Sequence, residues 1–277
     1  MPDFETLASG YGLIEGPRVD DGGNLYFSDV HNGGVYRRSP DGEITVVVPK
    51  RRGVGGIALH AEGGLVISGR DISHVSPDGS SRTVWKPDAP GLNDLLADGS
   101  GRIYCGTMRS DPFATSGERS AGECYRIDLD GSVAEMYGGI SLTNGIGLSP
   151  DGGRMYHSDT ASHHVICHDL EGDRPVNRRA LAEHPSFMPD GLAVDEAGTI
   201  WVADYGSGTV RGFSPDGEEV ATLAVPAQAV TSLCFGGQDR RDLYLVTADN
   251  SEDPAKGGTV FRTRVDVPGV AIALARV

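Results

Sequence analysis

The chain has 277 residues, 40 of them Gly and 16 Pro, and a formal net charge of −15. That length suits one closed β architecture better than one ordinary globular core, and the acidic balance argues against nucleic acid and anionic membranes as partners. No apolar run approaches the length of a membrane span, and MPDFETLASG has neither the basic start nor the apolar stretch of a secretory signal.

In chain order, one pattern returns six times: IEGPRVDDGGNLYFSD, VGGIALHAEGGLVISG, LNDLLADGSGRIYCGT, TNGIGLSPDGGRMYHSD, PDGLAVDEAGTIWVAD and TSLCFGGQDRRDLYLVTAD. Each is a short apolar strand, an Asp/Gly turn and a second strand of β-formers. A third strand follows in each, such as GVYRRS, ECYRIDL or TVFRTR. Four repeats then turn at SPDG or DLDG into a fourth strand, one uses DLEG at 169–172, and the last has no matching turn. Such turns between alternating apolar runs are hairpin signals. A period near 40 residues with four short strands predicts an all-β fold, a six-bladed β-propeller filling residues 1–277 as one domain. FETLAS and VAIALARV both read as strands, and either can complete the last blade.

The longest insertion, residues 107–121, lies in the third repeat and is polar with Gly and Pro. It reads as a surface loop or as a lid over the axial mouth. Lys50-Arg51-Arg52 reads as a solvated turn. Cys105, Cys124, Cys167 and Cys234 have no metal-type spacing; Cys105, Cys167 and Cys234 sit among apolar strand residues, so buried free thiols are expected, which points to the cytoplasm.

Aligning the repeats places Glu15, Gly55, Asn93, Asn144, Asp190 and Ser232 at one register, at the start of the innermost strand. In a closed ring these positions converge on the axis. Two carboxylates and two amides with no Lys or Arg at that register require a proton or a cation. All-oxygen donors suit one divalent metal ion, Ca²⁺ first, with Mg²⁺, Mn²⁺ or Zn²⁺ as alternatives. Turn and cap chemistry explains Asp190 and Asn144 singly, but not four oxygen-bearing residues at one register. Asp29, Asp159, Asp204 and Asp249 recur at the end of the second strand and read as turn-stabilising acceptors. His31 and Tyr205 follow two of them and are placed to line the mouth. His163-His164 reads as loop surface. No HExxH, GxSxG or phosphate-cradling loop is present, so any chemistry runs through the metal.

The EGP at Glu15–Pro17, LND with GRIYCGTM, TNGIGLSPDGGRMYHSD and PDGLAVDEAGTIWVADY together resemble the SMP-30/gluconolactonase/luciferin-regenerating-enzyme family over nearly the whole chain. The resemblance implies a six-bladed propeller with one catalytic metal on its axis, held by Glu15, Asn144 and Asp190. It places Asn93 against the metal's water or the substrate, and Glu118 of the long loop on the substrate side. It implies hydrolysis of a lactone, with Asp190 or a nearby carboxylate taking the water's proton. Many sugar lactonases of the family carry Arg in R-x-N-D-G. Here the segment is Gly91-Leu92-Asn93-Asp94-Leu95, with Gly91 in place of that Arg and the apolar Leu95 beside the substrate, which shifts the expected substrate towards a less polar lactone or ester. A metal-dependent esterase or phosphotriesterase, a non-hydrolytic biosynthetic enzyme, and a non-catalytic Ca²⁺- or partner-binding propeller are the competing readings. A monomer or small homo-oligomer is the expected state.

Overall fold

The computed structural model describes residues 3–113 and 119–277. These residues form six four-stranded antiparallel sheets, each with its strands in chain order except the last. The innermost strands are Ile14–Val19, Ile57–Leu59, Gly91–Ala97, Thr143–Leu148, Pro189–Val194 and Val230–Gly236. Each touches the next around a closed circle, the sixth returning to the first. The six-bladed propeller expected from the repeats is the observed fold.

The pattern of side chains follows from that arrangement. Inner strands are buried on both faces because neighbouring blades cover them, whereas outer strands such as Glu219–Ala224 are largely exposed. The cores lie between blades: Leu92, Leu95, Ile103 and Cys105 of blade 3 pack with Ala58, Val66 and Ile72 of blade 2. All four cysteines are free and buried there, as their apolar settings implied. The SPDG turns behave as hairpin corners, with Gly42 and Gly217 at positive φ and their N–H groups donating to Ser39 and Ser214 carbonyls.

Ring closure uses the N-terminal strand Glu5–Tyr11, which pairs antiparallel with Gly258–Arg264 as the outer strand of blade 6. The C-terminal segment is not a strand. It crosses the base of the ring, with Val270 N–H donating to Val194 O and Ala275 N–H to Leu59 O, and buries Ala275 and Val277. Three further expectations need correction. The third-blade insertion starts at Arg109, because Thr107 and Met108 extend the strand Ile103–Met108 and pair with Leu92 and Gly91. Arg51 is not solvated: its guanidinium inserts against blade 2, 2.7 Å from Asp71 Oδ1 and bonded to the Ser68 carbonyl. The desolvated Asp71 supplies the counter-charge that holds it there. Leu95 is fully buried between blades and does not face a substrate. Among the described residues no helix is long and apolar enough to cross a membrane.

Candidate active site

The inner strands do not start as regular ladders. Pairing is interrupted between Glu15 and Arg18, between Leu92 and Leu95, between Thr143 and Ile146, and between Pro189 and Leu192. A bulge frees consecutive residues from strict alternation and re-aims their side chains. Pro17, which has no N–H to give to a ladder, falls in the first of these interruptions. Glu15, Asn144 and Asp190 are 6%, 7% and 6% exposed at these points.

The sequence register is thereby assembled, and two residues join it that the register missed. Asp94 is buried, and its charge acts on both Glu15 and Asp190. Arg18, three residues along the first inner strand, reaches to within 3.6 Å of Asp94. Its Nη1 donates to Pro17 O at 2.7 Å and its Nη2 to Leu95 O at 3.1 Å. Burial pushes the Glu15 carboxyl well above the usual carboxylate range, and repulsion from Asp190 and then Asp94 adds to it. Asp190 is raised in the same way by burial and then by Asp94, against a hydrogen bond from Gly191 N–H. Asp94 is pushed up to about 6 by burial, with Arg18 opposing the shift.

The amides are held by a network. Asn144 Nδ2 donates to Thr160 Oγ1 at 3.0 Å, and that hydroxyl donates to Pro189 O at 2.6 Å. Thr160 Oγ1 is therefore an acceptor towards Asn144, which fixes the Asn144 amide with Oδ1 on the opposite side. Asn93 Nδ2 donates to Thr143 O and to Asn144 Oδ1, both at 2.9 Å. Asn93 Oδ1 lies only 1.9 Å from where a Cβ at position 55 would stand. Gly55 thus makes room for Asn93.

Tyr205 is half-buried near the cluster: burial raises its phenol pKa first, and the charges of Asp190, Asp249 and Glu15 add to it. His31 is exposed and meets the third-blade loop, its ring 5.3 Å from that of Phe113. Glu118 lies outside the described residues. The recurrent aspartates are turn acceptors, as expected. Asp29 accepts from the N–H groups of Gly12, His31 and Asn32, Asp159 from Ser141 and Leu142, Asp204 from Met188, and Asp249 from Gln228 and Ala229. His163 is likewise structural, its Nδ1 2.8 Å from Phe187 O.

The donor set fits a hard divalent cation. Asp190 Oδ1 is buried with no hydrogen-bond partner, a state that costs free energy unless something positive or protonated meets it. Glu15 finds only its neighbour's N–H, from Gly16 at 3.1 Å. Among the described residues no group of three or more His, Cys, Asp or Glu side chains has metal-binding spacing. A cation held here would need amide as well as carboxylate oxygens, a donor set that favours oxygen-seeking ions.

Residues 13–249 match the family described as the SMP-30/Gluconolactonase/LRE-like region. A pentonolactonase of Haloferax volcanii is 33% identical, covering 93% of this chain and 92% of its own. A 6-deoxy-6-sulfogluconolactonase of Pseudomonas putida is 32% identical, covering 89% of each. Among solved structures, a luciferin-regenerating enzyme superposes with a TM-score of 0.90 over 100% of both chains at 27% identity. With this fold, this axial arrangement of acids and amides and these relatives, the chain belongs to the SMP-30/gluconolactonase/LRE-like family.

Proposed function

We propose that this propeller is a metal-dependent lactone hydrolase whose ion is held by Glu15, Asn144 and Asp190. The observation that carries the reading is the buried, unpartnered Asp190 Oδ1 beside a second raised carboxylate, Glu15. The kinship with two named lactonases supports the reaction class. Ca²⁺ is the proposed ion, with Mg²⁺, Mn²⁺ and Zn²⁺ as alternatives.

A divalent ion, when bound, supplies Lewis acidity for a lactone carbonyl and acidifies water. The protein's own residues do the rest. Asp190, or a nearby carboxylate, takes the proton of the attacking water. Water oxygen bonds to the carbonyl carbon, the ring C–O bond breaks, and the departing alkoxide is protonated to give an open hydroxy acid. Asn93 has spent both Nδ2 protons on Thr143 and Asn144, so its Oδ1 is an acceptor for a substrate hydroxyl. Tyr205, His31 and Glu118 are proposed to border the substrate.

The small-molecule substrate is a lactone, and position 91 bears on which one. A Cβ at Gly91 would meet the Met108 methyl at 3.3 Å, so this wall presents a thioether where a charged donor is missing. Tolerance of less polar lactones follows. The test is a panel of sugar and alkyl lactones assayed after chelator stripping and after return of each metal. Hydrolysis should vanish on stripping and return with Ca²⁺. Turnover that survives thorough chelation would sink the metal reading, and a strong preference for gluconolactone over every alkyl lactone would sink the inference from Gly91.

A further inference from the structure

We propose that Arg18 sets the charge of the axial site, acting as a fixed internal cation that matches the cluster to divalent over trivalent ions. This rests on the reading of the axial cluster as a metal site. Three carboxylates act on one another at the axis: Glu15, Asp94 and Asp190. Arg18 is the cation that acts on two of them, Glu15 and Asp94; its side chain is 11% exposed and stands 3.6 Å from an Asp94 that is itself 5% exposed. With all acids ionised, three negative charges face one guanidinium, which leaves two in excess. A divalent cation neutralises that set, and a trivalent one overshoots it.

The guanidinium is fixed in place by its own contacts. Its two carbonyl acceptors, Pro17 O and Leu95 O, belong to blades 1 and 3, so it bridges across the narrow channel beneath the acids. Arginine suits the task because it stays charged when desolvated and offers donors in a rigid fork. Arg18 also lines the cavity at the far end of the channel, so it stands between the acids and an apolar chamber. Its influence on the ion is electrostatic, through Asp94, making it a positioning residue and not a catalytic one.

The test measures binding, not turnover. Chelator-stripped wild type, Arg18→Gln, Arg18→Lys and Asp94→Asn are titrated with Ca²⁺ by calorimetry and with Tb³⁺ by luminescence. Removing one unit charge from a desolvated neighbourhood should raise the Tb³⁺-to-Ca²⁺ affinity ratio roughly tenfold or more in Arg18→Gln. Arg18→Lys should keep the wild-type ratio. Asp94→Asn should move it the other way, and this variant carries the test if Arg18→Gln fails to fold. A ratio unchanged in both Arg18→Gln and Asp94→Asn overturns the proposal. Wild type that binds neither ion overturns the metal reading itself, a separate outcome.

Discussion

The beginnings and the ends of the six inner strands form the two mouths of one channel, and they differ in almost every respect. Where the strands begin, pairing is broken by bulges and the side chains are Asn144 and the carboxylates of Glu15, Asp94 and Asp190, which repel one another. Where they end, pairing is regular and the walls are Leu96, Ile146, Leu192, Val194 and Phe235 around a cavity of roughly 400 Å³. The C-terminal segment, with Val270 and Ile272, runs beneath it. Arg18 belongs to both. The contrast teaches that a bulge can divide one short strand into a polar half that stores electrostatic strain and an apolar half that holds the ring.

Each half can be broken separately. The largest effect is expected from Asp190→Ala, which should reduce both metal binding and lactone hydrolysis to background, read by calorimetry and turnover. The metal-stripped variant should also melt higher than stripped wild type, because a buried, unpartnered carboxylate is gone. Retained activity would remove Asp190 from the site. Truncation after Pro268 attacks the other half. Loss of the buried Ala275 and Val277 and of the backbone bonds to Leu59 and Val194 should lower stability by about 3 kcal/mol. Calcium affinity per folded molecule should stay as it was, and a parallel loss of affinity would show the two mouths to be coupled.

Thr160→Val probes the hold on Asn144. Without the hydroxyl, Asn144 Nδ2 has no acceptor and the amide is free to turn, so metal affinity should fall about 10–100-fold, the usual scale for an outer-shell partner. An unchanged affinity would mean that Asn93 alone orients Asn144. Per pH unit, the gentlest effect is a stability slope. His157 is fully buried between Tyr137 OH and Thr143 Oγ1, and burial lowers its pKa from 6.5 to about 3. The unfolded histidine takes up a proton first, so this contribution to stability is whole above about pH 6.5 and declines as pH falls towards 3. Its slope approaches 1.4 kcal/mol per pH unit at most. In metal-stripped protein the raised axial acids work in the opposite direction, gaining stability as they protonate. Urea midpoints for wild type and His157→Gln across that window separate the two, and identical slopes would discount His157.

Most of the architecture was legible because a propeller repeats its turn chemistry, and SPDG corners are local signals. The axial register was legible for the same reason: symmetry converts equal positions in the repeat into neighbours in space. Asp94 and Arg18 were not, because they lie off that register and reach the axis only where a bulge cancels alternation. Leu95 was misplaced for the matching reason, since ladder pairing resumes there, opposite Cys105. Arg51 looked solvent-bound in a basic run, and only the three-dimensional position of Asp71, twenty residues on, explains its burial. Glu118 lies outside the described residues, in an insertion whose sequence carries no periodic cue.

The strand Glu5–Tyr11 has a consequence for how the molecule comes to exist. Blade 6 joins it to Gly258–Arg264, across almost the whole chain. During synthesis the first five blades can form while the ring stays an open arc with two uncovered flanks. Glu15 of blade 1 and Asp190 of blade 5 then have no fixed separation. If the sixth blade closes the ring last, that step fixes Glu15 against Asp190, and their repulsion opposes closure. An ion present at that moment would speed closure, and refolding of the stripped chain should accelerate when Ca²⁺ is added.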